Sequence, residues 1–386
     1  MRGRVPRARI CAHGYSFAAV SPGRKAYFAD VPGMRAIVAI AIVGVAAAAS
    51  APAPRVRVRD ALAGFAAPFP QPAALAGELF YATCALPACD TLELSLFDLA
   101  STSSTDLFDF PFDSFEDGYV ADSTLAPGGV VVLSLQYDGR PQQGYLLSFN
   151  MTSRKIISGF NSSFCFALFL DPSDSAGDNL LCLALEPACD GGTQCSQLRH
   201  ISRSAQTDTL VSQFMPNAAP YTVSCLDTKR SLIYSTFGGL DTIGPNVIAA
   251  IDIGTGAVVA NASFPLTTAY IELEYDSVTD AVYAVVEDAQ DGAFFGTVEP
   301  NTGVATPVGS NRFNTTYWNQ FNTISTVAPE IGVFFSTAFH YGVPNPPSDP
   351  ILHLIGNSLT TGEIVYDEVV TNPFCEILWT PAPASK

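Results

Sequence analysis

The side chains best suited to chemistry in this 386-residue chain are oxygen donors. Glu272 and Glu274 alternate with apolar residues in "YIELEYD", Glu376 does the same in "CEILWT", and Asn319 and Asn322 enclose a Gln-Phe pair in "NQFN". Carboxylates and amides are the groups that hard cations take, so Glu272, Glu376 and Asn319 are the candidate metal set, with Ca²⁺ as the ion; acids that are merely solvated at the channel mouths are the other reading. Three such groups alone bind weakly, because calcium takes about six to eight oxygens. His200, His340 and His353 have no acid or cysteine close by in sequence and read as packed or surface residues. No G-x-S-x-G, H-E-x-x-H, P-loop or C-x-x-C-H is present. Any site must therefore be assembled from distant segments.

The elements that would assemble it are legible as a repeat. "IDIGTGAVV", "VEPNTGVAT" and "NSLTTGEIV" each read as strand, turn, strand, with Gly256, Gly303 and Gly362 at one turn position. Weaker copies place Asp106, Ser153 and Asp208 in the same slot, where positive φ or a local side-chain hydrogen bond is needed. "YTVSCLDTKRSLIYSTF" and "YIELEYDSVTDAVYAVV" supply a second register of paired strands. Four short strands in about fifty residues define a propeller blade. Inner strands are expected at 117–127, 164–171, 221–227, 270–276 and 321–330, with a last one in "CEILWTP". That final strand has no partner after it, whereas "GELFYATCA" begins a blade with no strand before it, so the two complete one ring. The fold class is therefore all-β, a six-bladed β-propeller over 77–386, with seven blades if 50–76 contributes strands.

On these Asp-x-x-Thr-Gly turns the chain resembles the YVTN, NHL and quinoprotein-like propellers. That resemblance implies a fold and no particular function. The acids on inner strands add a partial similarity to calcium-dependent lactonases and arylesterases of the gluconolactonase and paraoxonase type. It implies a metal held from several blades, but blades two and three show no matching Asp or Asn, and no catalytic residue carries over.

Propeller geometry puts the connections between the second and third strands, and between successive blades, on one face. That face holds the longest loops, 187–197, 238–246 and 340–350, and the stretch 311–320. Loops on a rigid scaffold are where binding evolves, so Tyr317, Trp318, Tyr341 and Asp349 are the expected ligand-binding residues. The acidic and aromatic run at 104–119 reads instead as the outer strand of the first blade, with Phe inward and Asp outward.

The N-terminus reads as an address. "AIVAIAIVGVAAAA" after Met34-Arg35 is too short to span a bilayer comfortably and ends in small residues, which gives a signal peptide at 34–49 cleaved after Ala49; an uncleaved anchor is the other reading. Residues 1–33 are an upstream extension or long n-region, and 50–76 an Ala/Pro-rich linker. Processing leaves 12 basic and 35 acidic residues, a formal charge of −23, which disfavours nucleic acid and anionic lipid as partners. The expectation is a secreted monomer whose partner is an extracellular protein or small ligand. Export also suits the cysteines and sequons. Cys84–Cys375 would bridge the ring closure, Cys165–Cys182 the matching place in blade three, and Cys189–Cys195 one loop, with Cys84–Cys89 as an alternative and Cys225 left over. Glycosylation is expected at Asn150, Asn161, Asn261 and Asn314.

Overall fold

The structure, a computed structural model, describes residues 75, 77–84, 91–111, 119–136, 143–186, 195–214, 218–239, 246–265, 268–288, 292–310, 312–313, 318–340, 351–370 and 374–380. The expected extension, signal segment and nearly all of the linker lie outside these.

Six four-stranded antiparallel sheets make six blades, which settles the count against seven among the described residues. Blade one joins β1 (Glu78–Cys84), β2 (Thr91–Asp98) and β3 (Ser103–Pro111) to the last strand, β24 (Phe374–Thr380). Blade two is β4 (Tyr119–Ala126), β5 (Val130–Gln136), β6 (Gln143–Asn150) and β7 (Lys155–Ser163). Blade three is β8 (Cys165–Leu170), β9 (Asn179–Glu186), β10 (Cys195–Ser202) and β11 (Thr207–Phe214). Blade four is β12 (Ala218–Asp227), β13 (Leu232–Gly239), β14 (Asn246–Asp252) and β15 (Val258–Phe264). Blade five is β16 (Thr268–Asp276), β17 (Ala281–Asp288), β18 (Gly292–Glu299) and β19 (Val304–Pro307). Blade six is β20 (Trp318–Ala328), β21 (Val333–His340), β22 (Ile351–Ser358) and β23 (Ile364–Val370). The expected closure is present: β24 pairs antiparallel with β1, Ala82 facing Glu376, and it packs between β20 and β4.

The core is divided among the gaps between blades. Alternate side chains of a strand leave opposite faces of its sheet, so each blade feeds two gaps. Phe334 packs toward blade five and its neighbour Phe335 toward blade one, both fully buried. Six apolar clusters, one per gap, carry the packing around the ring. In the first of them Trp379 of β24 stacks on Phe335, and its indole N–H donates to Glu330 at 2.8 Å. The closing strand is thus held by packing as well as by its ladder.

The turns show which repeats were read correctly. Gly256, Gly303 and Gly362 all have φ of 66–70°, the left-handed region that disfavours any Cβ. Their leading residues close the loop: Asp252 Oδ1 accepts from the Thr255 N–H at 2.8 Å and its hydroxyl at 2.7 Å. In the three weaker copies the positive-φ residues are Thr102, Arg154 and Gln206, rather than Asp106, Ser153 and Asp208. Asp106 and Asp208 lie inside β3 and β11, because there the reversal comes earlier and the strand begins sooner. The reading of β3 holds: Phe108 and Phe110 pack inward beside Phe149, while Asp106 and Asp109 are exposed.

Candidate functional site: a ring of buried acids

The inner strands β24, β4, β8, β12, β16 and β20 touch in sequence around the ring axis. Two of the three expected acids lie on β16, where the period of two puts Glu272 and Glu274 on one face, and the third, Glu376, lies on β24. Glu272 is 2% exposed and Glu376 5%, whereas Glu274 is partly open. Neither carboxyl oxygen of Glu272 makes a hydrogen bond among the described residues. Glu274 accepts from the Ser325 hydroxyl of β20 at 3.0 Å, and the Ile377 N–H donates to Glu376 Oε1 at 3.2 Å.

Burial without basic neighbours makes these groups weak acids. Loss of solvent pushes the Glu272 carboxyl well above the usual range, and the nearby Glu274 charge adds to the effect; the Ile324 N–H, close by but outside hydrogen-bond geometry, offsets it only in part. Burial raises Glu274 to about 8, with Asp122 and Glu376 adding repulsion against the Ser325 hydrogen bond. Burial likewise raises Glu376 to about 8, partly countered by the Ile377 N–H and the Ser123 hydroxyl. Solvent reaching Glu274 screens its shift more than those of the other two. The three glutamates therefore hold their protons more tightly than free carboxyls do.

Sequence reasoning missed two members. Asp122 of β4 fills the place thought to be empty in blade two; it accepts the Leu168 N–H at 2.5 Å and the Ser123 N–H at 2.7 Å, tying β4 to β8. Cys225 of β12 is a free, buried thiol held well above its ordinary pKa by burial and by Glu274 and Asp227. The alternation in "YVADSTL" could have flagged Asp122, but only the ring places it near Glu274.

Among the described residues no three His, Cys, Asp or Glu side chains gather closely enough to hold an ion. Asn319 and Asn322 lie on β20, Asn319 at a break in the β20–β21 register. No step through calcium is derived.

Of the expected ligand-binding residues, Tyr317, Tyr341 and Asp349 lie outside the described residues. Trp318 is the first residue of innermost strand β20, opposite His340, and not part of a loop as expected. Two of the histidines gain acid neighbours that are remote in sequence. Nδ1 of His353 lies 2.6 Å from Asp367 across β22 and β23, and Nε2 of His200 lies 3.4 Å from Asp171. Strand pairing and the blade turn bring these acids close although they are remote in sequence.

Cys165 and Cys182 form a disulfide between β8 and β9, with Cα atoms 5.3 Å apart. Cys195 is disulfide-bonded, and its expected partner Cys189 lies outside the described residues. The register sets Thr83 opposite Phe374 and Ala82 opposite Glu376, which leaves Cys375 in a bulge. Among the described residues no helix is long and apolar enough to cross a membrane.

The fold and ring define the class of protein: a six-bladed β-propeller with an acidic interior. No known family profile matches the chain, and no curated protein does. Solved structures resemble it remotely. A candidate TolB from Agrobacterium tumefaciens is 11% identical, with a TM-score of 0.49 over 76% of this chain and 99% of that one. A candidate 6-phosphogluconolactonase from Bacteroides fragilis is 9% identical, with a TM-score of 0.44 over 79% and 98%. The β-propeller domain of the Trilobed protease from Pyrococcus furiosus is 10% identical, with a TM-score of 0.45 over 74% and 79%. Likeness at this level says nothing about activity, and the assignment rests on the chain's own six sheets.

Proposed function

We propose that the protein is a secreted binding propeller that engages an extracellular protein or small ligand through the face built from the longer connections. The observation that carries this reading is the contrast between the two faces. On the opposite face, Asp98, Asp171, Asp252 and Asp276 spend their carboxylates on hydrogen bonds to their own turns, so little there is free for a partner. The segments 187–194 and 341–350 instead join β9 to β10 and β21 to β22 on the far side, and Trp318 starts the adjoining inner strand. Secretion, a monomeric state and a Cys84–Cys375 bridge belong to the same proposal; the Cys165–Cys182 disulfide is compatible with export.

The test is binding of the biotinylated, secreted chain to arrays of extracellular proteins and glycans. Replacing 190–194 and 341–350 by Gly-Ser segments of equal length, with Cys189 kept, should abolish the strongest signal. Thr255→Ala and Thr302→Ala, on the other face, should leave it within twofold. A signal lost with the threonines and kept with the replaced segments would put the binding face on the wrong side.

A further inference from the structure

Each blade ends in an outermost strand whose far side has no ladder partner among the described residues, and such edges invite pairing with another chain unless something blocks it. Four of the six carry a blocking device in their own sequence. β3 has exposed Asp106 and Asp109 and ends in Pro111. β11 carries Asp208, fixed to the Arg199 guanidinium and the Ser163 N–H. β19 is only four residues long and ends in Pro307. β23 carries Asp367 and Glu368. Charge, proline and shortness are all ways of stopping a further strand from adding.

β15 and β7 lack these devices. β15, "VVANASF", has no charge and no proline, and Val259 on it is 56% exposed. β7, "KIISGFNSS", is charged only at its first residue, and Ile156 and Ile157 follow it at 37% and 53% exposure. A seven- to nine-residue strand that is β-branched, apolar and almost uncharged is the composition that aggregates. These two edges are also the ones that carry Asn-x-Ser sequons. Asn261 is exposed and shares the outward face with Val259 and Ser263, while Ala260, Ala262 and Phe264 turn inward; Asn161 is exposed on β7. The Asn150 sequon lies at the β6–β7 turn and not on an outermost edge: its amide donates to the Gly128 carbonyl at 3.2 Å and its Oδ1 accepts the Ser153 N–H at 2.7 Å, and Asn314 lies outside the described residues.

We propose that Asn261 and Asn161 carry N-linked glycans whose role is to block the two unprotected blade edges. An oligosaccharide amide-linked to the outward Asn occupies the space an incoming strand needs, and it covers neighbouring apolar side chains. This rests on the secretory reading, because the modification requires passage through the secretory lumen.

The experiment expresses the full chain in a eukaryotic secreting cell and reads three things. N-terminal sequencing reports signal cleavage. Peptide-N-glycosidase treatment in ¹⁸O water with peptide mapping reports occupancy. Light scattering against concentration reports association before and after native trimming with an endoglycosidase that leaves a single N-acetylglucosamine, so that no new Asp is created at either site. The expected result is a cleaved chain with Asn161 and Asn261 occupied, monodisperse until deglycosylated, then associating severalfold. Asn161→Gln with Asn261→Gln should associate likewise, and adding Val259→Lys should reduce that association by restoring charge to the β15 edge. A secreted, cleaved chain with both sites bare overturns the glycan proposal alone. An uncleaved chain retained in the cell overturns it together with the secretory reading. Occupied sites whose removal leaves the protein monodisperse overturn the edge-blocking role.

Discussion

Glu272 and Asp276 sit on the same strand, both hidden from solvent at 2% and 0% exposure, yet their surroundings differ. Asp276 ends β16 on the turn face, where one carboxyl oxygen accepts the Val278 N–H at 3.0 Å and the other accepts the Thr279 N–H at 3.0 Å and its hydroxyl at 2.6 Å. Glu272 lies on the inner ring with no hydrogen bond among the described residues and an acid beside it. A buried carboxylate is tolerated where backbone donors are free to meet it, as at a turn. Glu272 meets no such donor among the described residues, so burial favours its protonated form. The turn acid organises the chain, whereas the ring glutamates hold their protons more tightly than free carboxyls do.

The largest effect expected from this contrast is on the pH dependence of stability. Glu274 and Glu376 stand near 8 and Glu272 is raised as well, against an unfolded value of 4.5. The folded ring then holds protons that the unfolded chain releases. The stabilisation is complete below the unfolded value and is lost as pH rises through about 8, on the order of a few kcal/mol per buried glutamate. Urea melts from pH 5 to 8.5 should show a falling midpoint, and the triple substitution E272Q, E274Q and E376Q should flatten that slope. A slope of opposite sign would mean that the ring is charged and compensated, which removes the contrast.

A smaller effect belongs to the turn. Asp276→Ala leaves three donors unmatched and should cost about 2–3 kcal/mol, whereas Asp276→Asn should recover part of it. The same melts check this, and a loss well below about 1 kcal/mol would mean that the turn holds without its carboxyl group. The smallest expected effect is that of calcium. Added Ca²⁺ followed by chelator should move the melting temperature by no more than about a degree. A rise of several degrees, reversed by chelation, would show that the native state binds the ion. It would also show that the ring gathers more ligands than its described residues supply.

Much of the fold was legible because blades are local. The Thr-Gly turns at Gly256, Gly303 and Gly362, the inward and outward alternation of β3 and the closure by β24 all follow from strand period and turn chemistry within one or two blades. Where the signal was weak it misled by a few residues. Thr102, Arg154 and Gln206 adopt positive φ without glycine, and nothing in their types marks the slot. Trp318 was read as loop because a polar, aromatic stretch resembles one, while β20 in fact begins there.

The sequence by itself determined the number of strands per unit, their order and the places of Glu272, Glu274 and Glu376 on inner strands, because these depend on periodicity and turn residues near in the chain. Only the tertiary structure decided which acids share an environment. Asp122, Glu274 and Glu376 come from three different blades, and their mutual repulsion depends on distances set by ring closure. The His353–Asp367 pair and the unprotected edges of β7 and β15 were decided in the same way. Coulomb energy and desolvation depend on separation in space and on burial, and a linear chain specifies neither until it has closed on itself.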